Sequence, residues 1–377
     1  MELGKNFNIT QTKRDAMKNT HLSVVLILRI LFFAMISYGL LYFSYKYFSP
    51  NYGQSDFFHY YKMVLDPLNF SVTESPFIYR QLSTVITALV LETGLYYNIE
   101  IAYTQEGIDQ HVFFAFILSN YLALLFTAFI VSRIVDLEIG KVTVLAPLLA
   151  GALCYLSFGA STYVLTGLVE GWSWFLIALA LYAFKKENLV LFTIVLAVSV
   201  FQKEIVSMIF GVMSAVFVVL NYLRKDQVVK PKHVGFFLVS VFTFVTYILV
   251  RKVLIPVGGF ENQLDLDQLI HYLVTYDFLD PRKLYITIFA QNLLYLALTL
   301  FVMNILMHRN EAGVKKYDFL KVNSIVALVS ACVVLFLVGM AAALGSNIGR
   351  IVLATSPISA VYIGYFLYRL ELKSRES

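Results

Sequence analysis

The stretch VLAVSVFQKEIVSMIF, residues 195–210, places the adjacent charges Lys203 and Glu204 in the middle of an apolar run. A charge at the centre of a membrane-spanning helix costs about 2.5–3.5 kcal/mol, so a single helix through this run is unfavourable. The apolar segment that contains it, 188–223, is also longer than the roughly 20 residues that one crossing needs. We therefore predict two shorter helices, 188–201 and 204–223, with the charged pair at the turn between them.

The composition of the chain is typical of a membrane protein. Of its 377 residues, 59% are hydrophobic and 14% are charged, whereas soluble domains are about 45–50% apolar and about 25% charged. The hydrophobic residues form long blocks and do not alternate as barrel strands do, and lipid admits only helices and closed barrels. The sequence therefore predicts an all-α multi-pass membrane protein, with residues 1–377 forming a single transmembrane domain.

Eight further runs are long enough to cross a membrane, which gives about ten crossings when the two helices of 188–223 are added. The shorter run 81–97 is ambiguous, and the distribution of charge decides its interpretation. The eight runs are residues 22–47, 112–135, 141–160, 162–184, 234–257, 284–307, 319–344 and 349–368.

The basic residues determine the predicted orientation. If 81–97 crossed, the loop NIEIAYTQEGIDQ after it would face the cytoplasm with acidic residues and no Lys or Arg. If it does not cross, all basic loops and both termini lie on one side, which the positive-inside rule identifies as the cytoplasm. We therefore interpret 81–97 as an interfacial or re-entrant helix; the alternative is eleven crossings. Residues 1–21 are then a cytoplasmic tail, and the two large loops on the other face are 48–111 and 258–283.

Several charged residues are predicted to approach the non-cytoplasmic face. Glu170 lies about eight residues from the external end of its predicted helix, a depth of about 12 Å. Polar side chains in a helical bundle face its interior or a water-filled cavity, so we expect this set to line one polar chamber that opens to the outside. The residues concerned are Asp56, His59, Arg80, Glu170, Lys203, Glu204, Arg251, Lys252 and Arg350.

Part of this set is also compatible with purely structural roles. Lys203 and Glu204 fit a simple turn whose side chains snorkel to the interface. Arg251 and Lys252 are typical of interfacial anchors. Glu170 is harder to explain in that way, because its neighbours in the predicted helix are apolar.

The motif content restricts the chemistry. The chain has no P-loop, no HExxH, no GxSxG and no His/Cys cluster with metal-ligand spacing. Its basic residues form no stripe that would follow a nucleic-acid backbone, so we expect no metal, no cofactor and no nucleic-acid partner.

The remaining candidate residues, one or two carboxylates with several cations, suit the transfer of a group from a lipid phosphate. The cations would hold the phosphate leaving group, and a carboxylate would take the proton of the acceptor.

Five short motifs, in order and spacing, resemble bacterial members of the GT-C superfamily. These are integral membrane glycosyltransferases that use polyprenyl-phosphate-linked sugars. The family pattern has an Asp-x-x-x-Tyr early in the first external loop, a P-F-x-Y-R-x-L stretch that closes it, an acidic residue that starts a mid-chain helix, a K-E pair and a late G-R. The corresponding stretches here are DFFHYYKM, SPFIYRQLST, VEGWSWFLIALALY, VFQKEIV and GRIVLATSP.

The resemblance implies a role for each matched residue. Asp56 would be the general base that activates an acceptor hydroxyl for inverting attack on the sugar C1. The donor phosphate would be contacted, or the site braced, by Arg80, Lys203 and Arg350. The sugar or these cations would be oriented by His59, Tyr60, Glu170 and Glu204.

The chain also departs from the family pattern. The first loop ends in RQLST where many relatives have R-x-L-x-P, and the large C-terminal external domain of oligosaccharyltransferases is absent. The resemblance therefore implies modification of a glycan or lipid acceptor in the bacterial inner membrane, not of a protein. Two alternatives remain: a Wzy-type O-antigen or exopolysaccharide polymerase, and a carrier for a solute or lipid-linked sugar with a proton path at Glu170 and Lys203–Glu204.

Overall fold

The computed structural model of the chain describes residues 3–47, 56–102, 107–157, 159–223, 231–256, 292–309, 329–330 and 353–376. Within these ranges every extended regular element is a helix. Short 3-10 or π-helical turns occur at Phe77–Tyr79, Ala160–Val164, Val250–Leu254 and Leu353–Thr355. The helices are α1 Leu3–Tyr47, α2 Asp56–Leu65, α3 Gln81–Glu92, α4 Gln110–Ile139, α5 Leu145–Leu156, α6 Glu170–Lys185, α7 Leu189–Ser199, α8 Ile205–Leu223, α9 Pro231–Leu249, α10 Asn292–Arg309 and α11 Ser356–Glu376.

Three of these helical segments are long and apolar enough to cross a membrane: Ser23–Tyr47, Gln110–Ile139 and Pro231–Leu254. The second lies at the centre of the molecule, since 72% of its most apolar window is buried and α1, α3, α5, α6 and α11 pack around it. The first and third bury only 22% and 28% of theirs. Their apolar faces are therefore open to the surroundings, which is unfavourable in water and indicates a membrane protein.

The predicted division of 188–223 is confirmed, because α7 ends at Ser199 and α8 begins at Ile205. The run 81–97 forms α3, whose 12 residues extend about 18 Å and are too short to cross a hydrocarbon core of about 30 Å. Helices α5, α6 and α7 are also shorter than a full crossing. The prediction of about ten crossings therefore stays a prediction.

Some predicted segments lie partly or wholly outside the described residues. These are Arg350, the loop 258–283, residues 48–55 and 103–106 of the loop 48–111, residues 284–291 of the run 284–307, and the span 319–344 apart from 329–330. At the other end of the chain, α1 begins at Leu3, so the predicted tail 1–21 belongs to the same helix from that residue on.

The predicted position of Glu170 within its helix was wrong. Residues 162–184 do not form one helix: a π-helical turn ends at Val164, residues 165–169 are not helical, and α6 begins at Glu170. Gly167 adopts φ +85° in this interruption, a conformation that glycine tolerates far better than other residues. A carboxylate in the first turn of a helix is stabilised by the helix dipole, which suits Glu170 to this position.

Charged residues are concentrated at two levels of the helical bundle. At one level Arg29 pairs with Asp136 at 2.6 Å, and Lys185 and Lys232 pair with Glu138 and Glu187. At the other level lie Glu170 and the break between α7 and α8. Helix α6 joins the two levels from Glu170 to Lys185, and its 16 residues extend about 24 Å.

Gly364 permits the close approach of α11 to α5 and α4. A Cβ at this position would stand 2.6 Å from Cβ of Ala150 and 3.2 Å from Cγ2 of Val135. Alanine normally favours a helix over glycine by about 0.5–1 kcal/mol, but overpacking a core costs about 1–3 kcal/mol. We expect Gly364→Ala to lower the melting temperature of the detergent-purified protein by several degrees.

The matched control is Gly39→Ala on the exposed face of α1, where a Cβ would meet no atom within 4 Å. This variant should melt at or slightly above the wild-type temperature. Equal melting temperatures for the two variants would contradict the proposed close packing of α11.

Candidate functional site

The break between α7 and α8 is held in place by one buried amide, the side chain of Gln202, which is 1% exposed. Its Nε2 donates to the carbonyl of Val169 at 2.6 Å and to Oγ of Ser173 at 3.1 Å. Its Oε1 accepts from the backbone N–H and the hydroxyl of Ser83, at 3.2 and 2.7 Å. Both donors and the acceptor of the amide are thus used, and they join α3, the start of α6 and the break.

Next to this amide, Lys203 and Glu170 form an ion pair. Nζ of Lys203 donates to Oε1 of Glu170 at 2.7 Å. The Glu170 side chain is 4% exposed and that of Lys203 is 18% exposed, so the carboxylate is in the interior while the ammonium reaches toward the surface of the bundle. Removing one member of a buried ion pair costs about 3–5 kcal/mol, because the other charge stays buried. The structure thus places these two residues in direct contact, and their roles in the site stay a prediction.

Glu204 points to a different set of partners. Its Oε2 accepts a hydrogen bond of 2.7 Å from the hydroxyl of Tyr247 on α9. That hydroxyl in turn accepts one of 2.9 Å from Nη1 of Arg251. The positive charges of Arg80 and Arg251 both act on the Glu204 carboxylate. Two arginines from distant parts of the sequence therefore share the surroundings of one carboxylate.

Arg80 is oriented by aromatic residues of the first loop. Its guanidinium lies 5.9 Å from the ring centroids of both Tyr60 and Phe77, and Nη1 donates to the hydroxyl of Tyr60. Tyr60, predicted to orient a cation or a sugar, thus contacts the cation. The residue before it in the motif, His59, stacks on Phe77 at 4.0 Å. Its Nδ1 lies 2.6 Å from Oγ1 of Thr73, so His59 interacts with the loop that leads to Arg80.

Asp56 is the first residue of α2 and is partly buried. The next residue, Phe57, is fully buried and packs against the backbone of Gly167, three residues before Glu170. The helix that begins with Asp56 therefore packs, through Phe57, against the non-helical segment that leads into α6. Arg350, the remaining predicted residue, lies outside the part of the chain that the structure describes.

The structure thus brings together Glu170 with Lys203, Tyr60 with Arg80, and Arg80 with the surroundings of Glu204.

The sequence analysis did not identify the roles of Gln202 and Tyr247. Gln202 was identified only as part of the break, although its amide joins three elements. Tyr247 was not identified, because nothing in the apolar sequence of α9 distinguishes it from the other aromatic residues.

Asn120 on α4 is a second buried side-chain amide that binds the backbone of the interruption before α6. Its Nδ2 donates to the carbonyl of Leu168 at 2.6 Å, inside the interruption before α6. Gly171 allows this approach, because a Cβ there would stand 2.6 Å from Oδ1 of Asn120. In the described part of the chain, no group of three or more His, Cys, Asp or Glu side chains could hold a metal ion.

The chain matches no protein-family model, and neither a curated protein nor a solved structure is significantly similar to it. The resemblance to the GT-C superfamily rests on the five motifs, their order and their spacing.

Gly167 is predicted to be essential for the packing of the site. Its φ of +85° makes any side chain strained by about 1–2 kcal/mol. In addition, a Cβ would stand 2.6 Å from the ring of Phe57, which is fully buried among other aromatic rings and has no room to move. We expect Gly167→Ala to lower the melting temperature and to reduce the amount of protein recovered in the membrane fraction.

The variant Gly140→Ala distinguishes the stability lost through backbone strain from the stability lost through a steric clash. Gly140 caps α4 at φ +77°, and a Cβ there would meet no atom within 4 Å. This variant carries the backbone strain alone and should lose clearly less stability than Gly167→Ala. Similar losses in the two variants would mean that Phe57 does not restrict the site.

Proposed function

We propose that the chain is a membrane glycosyltransferase of the bacterial inner membrane. It transfers a sugar from a polyprenyl-phosphate donor to a glycan or lipid acceptor on the non-cytoplasmic face. The observation that carries the proposal is the convergence at the break between α7 and α8. There Lys203, which pairs with Glu170, is followed in the chain by Glu204, whose carboxylate accepts from Tyr247 and is linked through it to Arg251.

The two levels of charged residues support the multi-pass topology. The segments that connect them in α6 to α9 contain no Asp, Glu, Lys or Arg, and they are residues 171–184, 189–202, 205–223 and 233–250. The levels are about 24 Å apart along α6, which is several ångströms less than a hydrocarbon core of about 30 Å. The level with Lys185 and Lys232 adjoins the basic loops, so the positive-inside rule assigns it to the cytoplasm and the candidate site to the opposite surface.

The proposed reaction uses the charges in the following way. An acceptor hydroxyl attacks C1 of the sugar and gives its proton to the Asp56 carboxylate, while the bond between C1 and the phosphate oxygen breaks. Polyprenyl phosphate leaves with the electron pair, and the sugar is transferred with inversion. Positive charges near the leaving oxygen stabilise the charge that develops there. Arg80 and Lys203, two of the three cations that the resemblance assigns to the donor phosphate, lie at this end of the bundle. Glu170 and Glu204 orient these cations.

Asp56→Asn tests the assignment of the base. The amide keeps the size of the side chain but cannot accept a proton, and general-base catalysis typically contributes about 10²–10⁴-fold to a rate. We expect transfer from a labelled polyprenyl-phosphate sugar, measured in membrane vesicles, to fall at least about 100-fold. The melting temperature should change little.

Asp66→Asn is the matched control, because Asp66 is an exposed carboxylate just after α2 that contacts Asn69. It should retain the wild-type rate. Transfer by Asp56→Asn at the wild-type rate would remove Asp56 from the mechanism.

A carrier is the second candidate, and one structural observation favours it. Two interruptions of helices, 165–169 and 200–204, contact each other around the pair Glu170–Lys203. Interrupted helices of this kind surround the substrate and ion sites of many transporters.

Glu170→Gln distinguishes the two functions. In a carrier it should abolish proton-coupled uptake into vesicles, and no variant should transfer a sugar. In a glycosyltransferase it should leave Lys203 without its carboxylate and lower the rate of transfer, while the vesicles show no uptake in the wild type. Proton-coupled uptake by the wild type without sugar transfer would replace the proposed function with a carrier.

A further inference from the structure

Arg251, at the end of α9, is held from several directions. Its guanidinium lies between two aromatic rings, 5.1 Å from the centroid of Tyr79 and 5.2 Å from that of Tyr247. Nη2 donates to Oγ of Ser75 at 3.3 Å, while Nη1 donates to the hydroxyl of Tyr247 at 2.9 Å. The planar guanidinium is therefore fixed in both position and orientation, which a flexible ammonium would not achieve. These contacts exceed what an interfacial anchor requires.

The hydroxyl of Tyr247 can donate only one hydrogen bond. It accepts from Arg251 and therefore directs its own proton to Oε2 of Glu204, 2.7 Å away. Tyr247 is 7% exposed, so water has little access to compete. Hydrogen bonds arranged head to tail in a buried site strengthen one another. The result is a directed chain from Arg251 through Tyr247 to Glu204.

The same arginine connects α9 to the first external loop. The hydroxyl of Tyr79 donates to the carbonyl of Ile255 at 2.7 Å and lies 3.2 Å from the carbonyl oxygen of Arg251. Tyr79 immediately precedes Arg80, whose charge acts on Glu204. The loop that carries Arg80 and the carboxylate of Glu204 are thus both attached to the end of α9 and the turn that follows it.

We propose that Tyr247 and Arg251 are positioning residues, which hold the Glu204 carboxylate and the loop that carries Arg80 at the end of α9 and so keep the Arg80 guanidinium in place for the donor phosphate. The effect on donor binding rests on the proposed function. The positioning of Glu204 itself does not, and it is measurable without any activity.

Tyr247→Phe removes one oxygen atom and retains the ring that stacks on Arg251. A hydrogen bond to a charged group contributes about 1.5–3 kcal/mol, which corresponds to about tenfold or more in affinity. We expect the KM for a polyprenyl-phosphate donor to rise about tenfold, with kcat changed less than twofold.

Tyr121→Phe is the matched control. The hydroxyl of Tyr121 is also buried, accepts from Ser37 and donates to the carbonyl of Ala34, at 3.1 Å in each case, but it lies between α1 and α4. It should lower the melting temperature about as much as Tyr247→Phe and leave KM unchanged. An unchanged KM in Tyr247→Phe, or an equal rise of KM in both variants, would overturn the positioning role.

Arg251→Lys preserves the charge but not the planar group that reaches Tyr247 and Ser75. It should raise KM as Tyr247→Phe does, and wild-type kinetics would mean that charge alone matters at this position.

The melting temperatures of Tyr247→Phe, Glu204→Gln and the double variant test the hydrogen bond between Tyr247 and Glu204 without a measurement of activity. The loss in the double variant should be smaller than the sum of the single losses, because the residues share one interaction. Additive losses would overturn the positioning of Glu204. If the losses are non-additive while the wild type transfers no sugar, the proposed function fails and the positioning of Glu204 stands.

Discussion

The buried amide of Gln202 is the interaction on which the arrangement of the candidate site depends. It is the contact that joins α3, the start of α6 and the break between α7 and α8. A helix break inside a bundle leaves backbone groups without helical partners, and each buried group without one costs about 1–3 kcal/mol. Gln202 provides such a partner to Val169. The charges of Lys203 and Glu204 follow it directly in the chain, so their positions depend on this amide.

The non-helical segment before α6 is also stabilised by buried side-chain amides that bind its backbone carbonyls. Residues 165–169 are largely buried, and non-helical backbone at this depth is tolerated only when protein or water satisfies it. Asn120 from α4 and Gln202 from the break bind the carbonyls of two consecutive residues, Leu168 and Val169. The chain thus places Glu170 deep in a bundle at a helix start, where both the helix dipole and Lys203 stabilise its charge.

The sequence predicted a structural feature where placing charged residues within a membrane-spanning helix would have a large free-energy cost. The division at 200–204 could be predicted because two adjacent charges are unfavourable within a spanning helix. The distribution of basic residues predicted that 81–97 does not cross, and that orientation stays a prediction. The start of α6 could not be predicted, because it depends on Phe57 and Asn120, which lie 110 and 47 positions before Gly167. The role of Tyr247 was equally hidden, since a tyrosine in an apolar helix is compatible with the lipid interface, and only its contact with Glu204 distinguishes it.

The pair of Arg29 and Asp136 has a consequence for biogenesis. Arg29 belongs to the first apolar helix and is 3% exposed, and its carboxylate partner is separated from it by 107 positions. During synthesis α1 is complete long before Asp136 leaves the ribosome. Until then Arg29 is without its carboxylate partner and lies near the end of the apolar segment Ser23–Tyr47. The packing of α1 against α4 around this ion pair can therefore form only after α4 has been synthesised. Tertiary assembly of this part of the bundle thus follows the synthesis of its first helix by more than 100 residues.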